Sequence, residues 1–383
     1  MNILNVNHLL DAETGGGTAE RTFQLSRFFE KAGEHCTILT LNIGLSKVRV
    51  NRLPGTSIIS LPCINLRYFV PILSFSSLKK IVKKATVVQL SGHWTVLNAL
   101  VFLMCRYLKK PYVFCPAGAL APVGRSIFLK RVYDALFGFR IAKNAAMCIA
   151  ITPRERADFA RYGVAPERVT VIPNGIDPQQ YESTENENKT AFREKHGLDD
   201  FPYILFLGRL NTIKGPDLLL EAFANVADRF PSMHMVFAGP DGGMLPSMKN
   251  TVAQHGLDKK VHFIGYIDGA EKIAALQSAD LLTIPSRREA MSIVVLEAGI
   301  CATPVLFTDA CGLEEFAREN VGTMTVVSVE GVAAGLEEVL SNPAATRDSA
   351  MRLRNIVLDR YTWEKQTALY VDLFKNLSTK GQH

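Results

Sequence analysis

"YILFLGRLNTIKGPDLLLEAF", residues 203–223, is where the chain declares its architecture. Tyr203 to Leu207 are apolar without alternation, so a strand here has both faces covered. A polar loop carrying Arg209 and Lys214 follows, and Leu218, Leu219, Ala222 and Phe223 then mark one face of a helix. A doubly buried strand leading straight into an amphipathic helix is the repeating half of a parallel βαβ unit.

The same pattern recurs in both directions. Towards the C-terminus come "HMVFAG" (234–239), "VHFIGY" (261–266), "DLLTIP" (280–285), "PVLFTD" (304–309) and "GTMTVV" (322–327). Towards the N-terminus lie "NILNVNH" (2–8), "CTILTL" (36–41), "TSIISL" (56–61), "TVVQLS" (86–91), "PYVFCP" (111–116), "AMCIAI" (146–151) and "VTVI" (169–172). Helical patterns at 18–32, 95–109 and 126–143 fall between them. "PNGID" and the polar "PQQYESTENENKT" separate the two series. The expectation is an α/β chain of two Rossmann-like, doubly wound parallel-sheet domains, 1–175 and 176–360. An amphipathic helix in 361–383 packs back across them. Ligands in such folds bind outside the carboxyl ends of the strands, so a cleft between the domains is the expected site.

A chain of 383 residues exceeds one ordinary core, and 48% hydrophobic with 21% charged residues is a soluble globular balance. "TVLNALVFLMCRYL" (95–108) is too short to span a bilayer, and "MNILNVNHLL" lacks the basic start of a signal peptide. The seven cysteines form no C-x-x-C pair, which predicts reduced, mostly buried thiols in a cytoplasmic protein. The net charge of +6 hides a split: residues 1–175 carry +14 and the remainder −8. The first half therefore faces something anionic.

Three segments carry candidate chemistry. "DAETGGGTAERTFQ" (11–24) puts Gly15 to Gly17 between the first strand and a helix, which predicts a loop whose backbone approaches a ligand closely. It is not G-x-G-x-x-G, because Glu20 takes the third glycine position. Arg209 and Lys214 stand at a strand's carboxyl end, where two cations suit a diphosphate, although no P-loop is present. In "SRREAMSIVVLEAG" (286–299), Glu289 lies in the turn before a helix and Glu297 lies inside that helix. Amides near Ala290, Met291, Ser292 and Ile293 would add an anion site at the helix start. Two carboxylates flanking a buried run need an offset, and a hydroxyl-rich ligand is the expected one.

With these segments in order, the chain resembles the retaining GT-B glycosyltransferases of family 4, of the bacterial polysaccharide and lipopolysaccharide type. Glu289-x7-Glu297 resembles the family's paired-glutamate motif, Arg209 and Lys214 its basic pair, and "VIPNGID" its linker region. The resemblance implies a hexosyltransferase using a nucleotide-diphosphate sugar, of GDP-mannose type in slight preference to a UDP-hexose, with a glycan or lipid-linked acceptor. It implies that Arg209 and Lys214 hold the diphosphate, that Glu297 meets the ribose and that Glu289 meets the sugar. Gly16 and Gly17 would approach the donor phosphate or the acceptor from the first domain, His93 would stand catalytically beside the donor sugar, and Gly239 and Tyr266 would lie near the nucleotide. No metal or other cofactor is expected, since the chain lacks the D-x-D of metal-dependent GT-A enzymes. "CPAGAL" (115–120) departs from the family's Arg-Gly or His-Gly, and Ala302 replaces a glycine, which reads as a packing change.

"NLRYFVPILSFSSLKKIVKKA" (65–85) and "GRSIFLKRVYDALFGFRIAK" (124–143) mix aromatic and basic residues and predict peripheral contact with an anionic membrane. Rival readings are a sugar-nucleotide 2-epimerase of the same architecture, a glycosyl phosphorylase and a non-catalytic nucleotide-sugar-binding protein. Nucleic-acid binding has no motif to support it.

Overall fold

A computed structural model describes residues 1–121, 126–181, 186–198 and 200–380. Gly124 and Arg125 of the second basic segment, Glu182 to Glu185 of the polar stretch and the last three residues lie outside these. The chain forms two compact units: Met1–Gly175 joined by the segment from Trp363 onward, and Ile176–Thr362.

The first unit holds β1 (Asn2–Val6), β2 (His35–Leu41), β3 (Ser57–Leu61), β4 (Cys63–Asn65), β5 (Val70–Pro71), β6 (Val87–Ser91), β7 (Tyr112–Cys115), β8 (Met147–Ala150) and β9 (Val169–Val171). Seven of them make a sheet in the order β3-β2-β1-β6-β7-β8-β9, and its pairings are all parallel. The apolar runs predicted this sheet strand for strand. The short antiparallel β4–β5 hairpin was not predicted, because two- and three-residue strands carry no periodicity. Edge strand β3 keeps Ser57 and Ser60 exposed, whereas central β6 is buried throughout.

Helix Ala12–Lys31 is clamped to β1 by polar pairs within the core: Asn5 Nδ2 donates to Ser26 Oγ at 2.9 Å and Asn7 Nδ2 to Thr22 Oγ1 at 2.9 Å. The open glycine loop expected before this helix is absent. Asp11 caps Thr14 N at 2.7 Å and starts the helix early, and Gly16 interrupts it with φ +57°. Gly16 and Gly17 are exposed on that break. The C-terminal helix Trp363–Lys380 packs on the same helix, with Phe29 against Tyr370 and Phe374. Arg21, wholly enclosed, donates to Tyr370 Oη at 2.8 Å and to the Ile172 and Pro173 carbonyls, fixing the strand that leaves β9.

The second unit holds β10 (Tyr203–Leu207), β11 (His234–Ala238), β12 (Val261–Gly265), β13 (Leu281–Ile284), β14 (Val305–Thr308) and β15 (Thr323–Thr325). They make one parallel sheet, β12-β11-β10-β13-β14-β15. Leu219, Phe223, Leu281 and Leu306 are fully buried at its centre. In each sheet the strand order reverses once, beside β1 and β6 in the first and beside β10 and β13 in the second. The carboxyl ends at such a reversal splay apart and leave a crevice.

Candidate active site

The reversal in the second sheet brings together the loops after β10 and β13. Arg287 N donates to Ile213 O at 2.8 Å, and Gly215 (φ +68°) passes so close to the Pro285 carbonyl that a Cβ there would collide with it. This contact sets Lys214 beside Glu289: Nζ and Oε1 are 2.7 Å apart. Ser286 Oγ donates to the same carboxylate oxygen at 2.6 Å. Glu289 N in turn donates to Ala310 O at 2.8 Å, which ties the turn to the end of β14.

Arg209 lies half-buried two residues past the β10 end. The loop after β11 closes over it. Leu210 N donates to Pro240 O at 3.0 Å and Gly242 N to Leu210 O at 2.9 Å. A Cβ on Gly242 would stand 3.1 Å from Arg209 Cγ, and one on Gly239 (φ +147°) would collide with the Gly208 carbonyl. Both glycines are therefore demanded by close backbone approach. Asp241 orders the turn between them by accepting from the amides of Gly243, Met244 and Leu245 at 2.7, 2.9 and 3.1 Å. These three amides hold its carboxyl below the usual range.

Helix Ile293–Ile300 starts at Ser292, whose side chain makes no capping bond, so the first-turn amides lack that partner. Met291 and Ser292 are buried, while Ala290 and Ile293 are half-buried. Glu297 lies one turn in, 8% exposed, and Lys272 Nζ stands 2.7 Å from its Oε1. Both glutamates are thus paired with lysines of the chain itself. Sequence reasoning missed Lys272 because "GAEKIAALQ" shows an ordinary helical charge. Tyr266, past β12, is 54% exposed.

At the reversal in the first sheet His93 follows β6, as expected, but its ring is enclosed: only 1% of the side chain is exposed. Nε2 pairs with Asp134 Oδ1 at 2.9 Å, and Trp94 Nε1 and Tyr162 Oη donate to the same carboxylate at 3.0 and 2.8 Å. Burial lowers the imidazole's pKa against the pull of Asp134. His93, expected at a catalytic position beside the donor sugar, is thus enclosed, and Asp134, its anchor, carried no sequence signal beyond a lone acid in a basic helix.

Known proteins place the chain. Residues 15–180 match the family described as Glycosyltransferase Family 4, and residues 188–357 match Glycosyl transferases group 1. An uncharacterized glycosyltransferase of Methanocaldococcus jannaschii is 31% identical over 218 residues, covering 56% of this chain and 55% of the relative. The D-inositol 3-phosphate glycosyltransferase of Corynebacterium urealyticum is 29% identical over 253 residues, covering 63% and 59%. The chain thus spans little more than half the length of these curated relatives. In fold it is similar to a crystal structure of the Anabaena protein HepE in complex with UDP and glucose. That match has a TM-score of 0.80 at 17% identity and covers 98% of this chain and 100% of the other. Two family matches in the correct order, on two parallel-sheet units with this strand order, show that the chain belongs to the GT-B glycosyltransferases of the family-4 type.

Proposed function

We propose that the chain is a retaining, metal-independent hexosyltransferase that moves a hexose from a nucleotide-diphosphate sugar to a glycan or lipid-linked glycan. The observation that carries this reading is the Lys214–Glu289 pair at the sheet reversal, 2.7 Å across, beside a helix start without a side-chain cap. A diphosphate brought to this edge meets Lys214, Arg209 and the first-turn amides of Ile293–Ile300. Fixed positive charge and aligned dipoles stabilise the charge that grows on the departing nucleotide, the task a divalent ion performs elsewhere. Lys214 exchanges Glu289 for phosphate, which releases the carboxylate towards the sugar hydroxyls. Glu297, steadied by Lys272, accepts from the ribose. Gly239 and Gly242 let the backbone come close to the nucleotide, with Tyr266 at the rim.

Retention follows in this reading from a front-face transfer in which the leaving phosphate oxygen takes the acceptor proton. The first unit, with Gly16 and Gly17 on the helix break, serves the acceptor side. His93 acts there as a positioning residue that holds the turn after β6. The donor is a UDP- or GDP-linked hexose; HepE in complex with UDP and glucose supports the uridine arm. The enzyme works at the cytoplasmic face of a membrane carrying its acceptor, in the assembly of a surface polysaccharide or lipopolysaccharide. No helix among the described residues is long and apolar enough to cross a membrane, so contact would be peripheral.

A panel of UDP-, GDP-, ADP- and TDP-sugars, with and without glycan acceptors, tests the proposal. Release of one nucleotide that rises with acceptor and survives EDTA is expected. Sugar epimerisation without acceptor would instead mark a 2-epimerase, and binding without turnover a non-catalytic module. The binding step can be read separately, since the preferred nucleotide raises the melting temperature with its occupancy.

A further inference from the structure

Lys214 lies in a loop of the second unit that one side chain from another loop grips on both flanks. The loop after β10 makes part of its own turn: Lys214 N donates to Asn211 O at 3.1 Å and to Asn211 Oδ1 at 3.0 Å. Arg287, in the loop after β13, supplies the rest. Its backbone N donates to Ile213 O at 2.8 Å and its Nη1 to Thr212 O at 2.8 Å. The same guanidinium closes on Asp217 as a fork, Nη1 to Oδ1 at 2.8 Å and Nη2 to Oδ2 at 2.6 Å. Asp217 stands in the first turn of helix Pro216–Val226, which starts directly after Gly215. Two bonds from this arginine therefore fall before Lys214 in the chain and two fall after it. Glu289, the partner of Lys214, follows Arg287 by two residues.

Stability alone does not account for this fork. Both side chains of the Arg287–Asp217 pair are about one-third exposed. Ion pairs at such exposure contribute little to folding, and salt screens them. The geometry is still one that only arginine offers: a rigid plane of donors, with two parallel bonds to the carboxylate and a further N–H for a carbonyl. Lysine at 287 would keep the charge and lose the plane. What the fork fixes is the separation of two loops. Arg287 belongs to the loop of Glu289 and grips the loop of Lys214, so the 2.7 Å Lys214–Glu289 contact depends on it. A lysine side chain has many rotamers, and anchoring its backbone on both sides limits where the ammonium can reach.

We propose that Arg287 and Asp217 are positioning residues for the donor diphosphate. Their fork holds the loop after β10 against the loop after β13, and so holds the Lys214 ammonium where charge grows on the departing phosphate. The proposal rests on the transferase reading for the identity of that anion, but the placement of Lys214 is tested without any sugar donor.

The first test is amine acetylation with acetic anhydride, read by mass spectrometry, on the full chain and its R287K and D217N variants. Labelling of Lys214 relative to exposed Lys249 should rise severalfold in R287K, and less in D217N, which keeps one acceptor oxygen. The melting temperature should fall by no more than about 4 °C, since the pair is half in solvent. The second test is a double-mutant cycle on turnover with the preferred sugar nucleotide. R287K alone should lower kcat about tenfold or more, as a small misplacement of a binding group does. In the K214A background the same change should cost less than about twofold, because the fork acts through Lys214. A residue that merely stabilised the fold would give independent, multiplying losses. Unchanged Lys214 labelling in both variants, wild-type kcat in R287K, or a full R287K loss in the K214A background would each overturn the proposal. Raised labelling in a chain that turns over no donor would condemn the transferase reading alone. A K214A loss of turnover with unchanged labelling in R287K and D217N would condemn the fork alone.

Discussion

Lys272 meets Glu297 at 2.7 Å, joining helix Gly269–Ser278 to the helix that carries the second glutamate of the pair. Glu297 is 8% exposed, so its carboxylate depends on that ammonium. Lys272→Met should lower stability by about 1.5–3 kcal/mol, the range for a hydrogen bond to a charged group. For a domain of this size the melting temperature falls by roughly 2–4 °C per kcal/mol. The double variant K272M/E297Q should recover most of the loss, because it removes the uncompensated charge along with its partner. A double variant as unstable as K272M would show that the lysine stem's packing, and not the pair, is what matters.

Lys214 and Arg209 should separate rate from stability. Lys214 is about one-third exposed and its partner Glu289 keeps Ser286, so Lys214→Ala should leave the melting temperature nearly unchanged. Each single alanine variant should lower nucleotide-sugar turnover about 10²-fold or more, as removal of an oxyanion donor does. Wild-type turnover in both variants would end the metal-free account of leaving-group stabilisation.

Ala302, where the family has glycine, reads from sequence as a packing change. The structure gives another reason for interest: its φ is +55°, in the left-handed region that a Cβ disfavours. Ala302→Gly should therefore stabilise the second unit by about 1 kcal/mol, measurable by denaturant midpoint at unchanged m-value. Destabilisation would mean that the methyl group's contacts outweigh the backbone strain.

Glu155 offers a pH test. Burial pushes its carboxyl up to about 7, against the pull of the Ile151 and Gly118 amides and of Arg21. The folded state then binds this proton more tightly than the unfolded state. The contribution is fully present below the unfolded value near 4.5 and is lost as pH rises through about 7. His8 works in the opposite sense. Burial lowers it to about 4, so its contribution is present above 6.5 and is lost as pH falls through 4. The two oppose each other between about pH 4.5 and 6.5, and Glu155 acts alone just above that. Glu155→Gln, which keeps an acceptor for the Ile151 amide, should remove a fall in stability on the order of 3 kcal/mol between acid and neutral pH. An unchanged stability profile would show that the carboxyl titrates normally.

Every long strand was legible in the sequence because parallel strands buried on both faces are unbroken apolar runs, as Tyr203–Leu207 and Val87–Ser91 show. The loops were less so. Gly15 to Gly17 suggested an open turn, but Asp11 captures Thr14 N and lets the helix begin before the glycines. The places of Arg209, Lys214 and Glu289 in loops after strands, and of Glu297 inside the following helix, were legible. Their lysine and serine partners were not, because Lys272 and Ser286 are common surface residues whose meaning comes only from which loops the strand reversal brings together. Asp241 was hidden for a similar reason: its three amide donors follow it within the same turn, and a Pro-Asp-Gly-Gly sequence reads as loop with or without them.

Asp134 and His93 supply the sharpest division between structure and chemistry. Asp134 accepts from His93, Trp94 and Tyr162 in a nearly closed setting, so Asp134→Ala should leave three donors without an acceptor. The expected loss is about 3 kcal/mol or more, seen as a lower melting temperature. His93→Gln keeps an N–H for Asp134 and should cost less, about 1–2 kcal/mol from lost ring packing against Phe114, Tyr133 and Tyr162. If the imidazole only positions the turn, H93Q should keep turnover within severalfold of wild type once assayed well below its melting temperature. A 10²-fold loss of turnover in H93Q at unchanged stability and unchanged KM would instead require the ring to leave its aromatic enclosure and act on the donor.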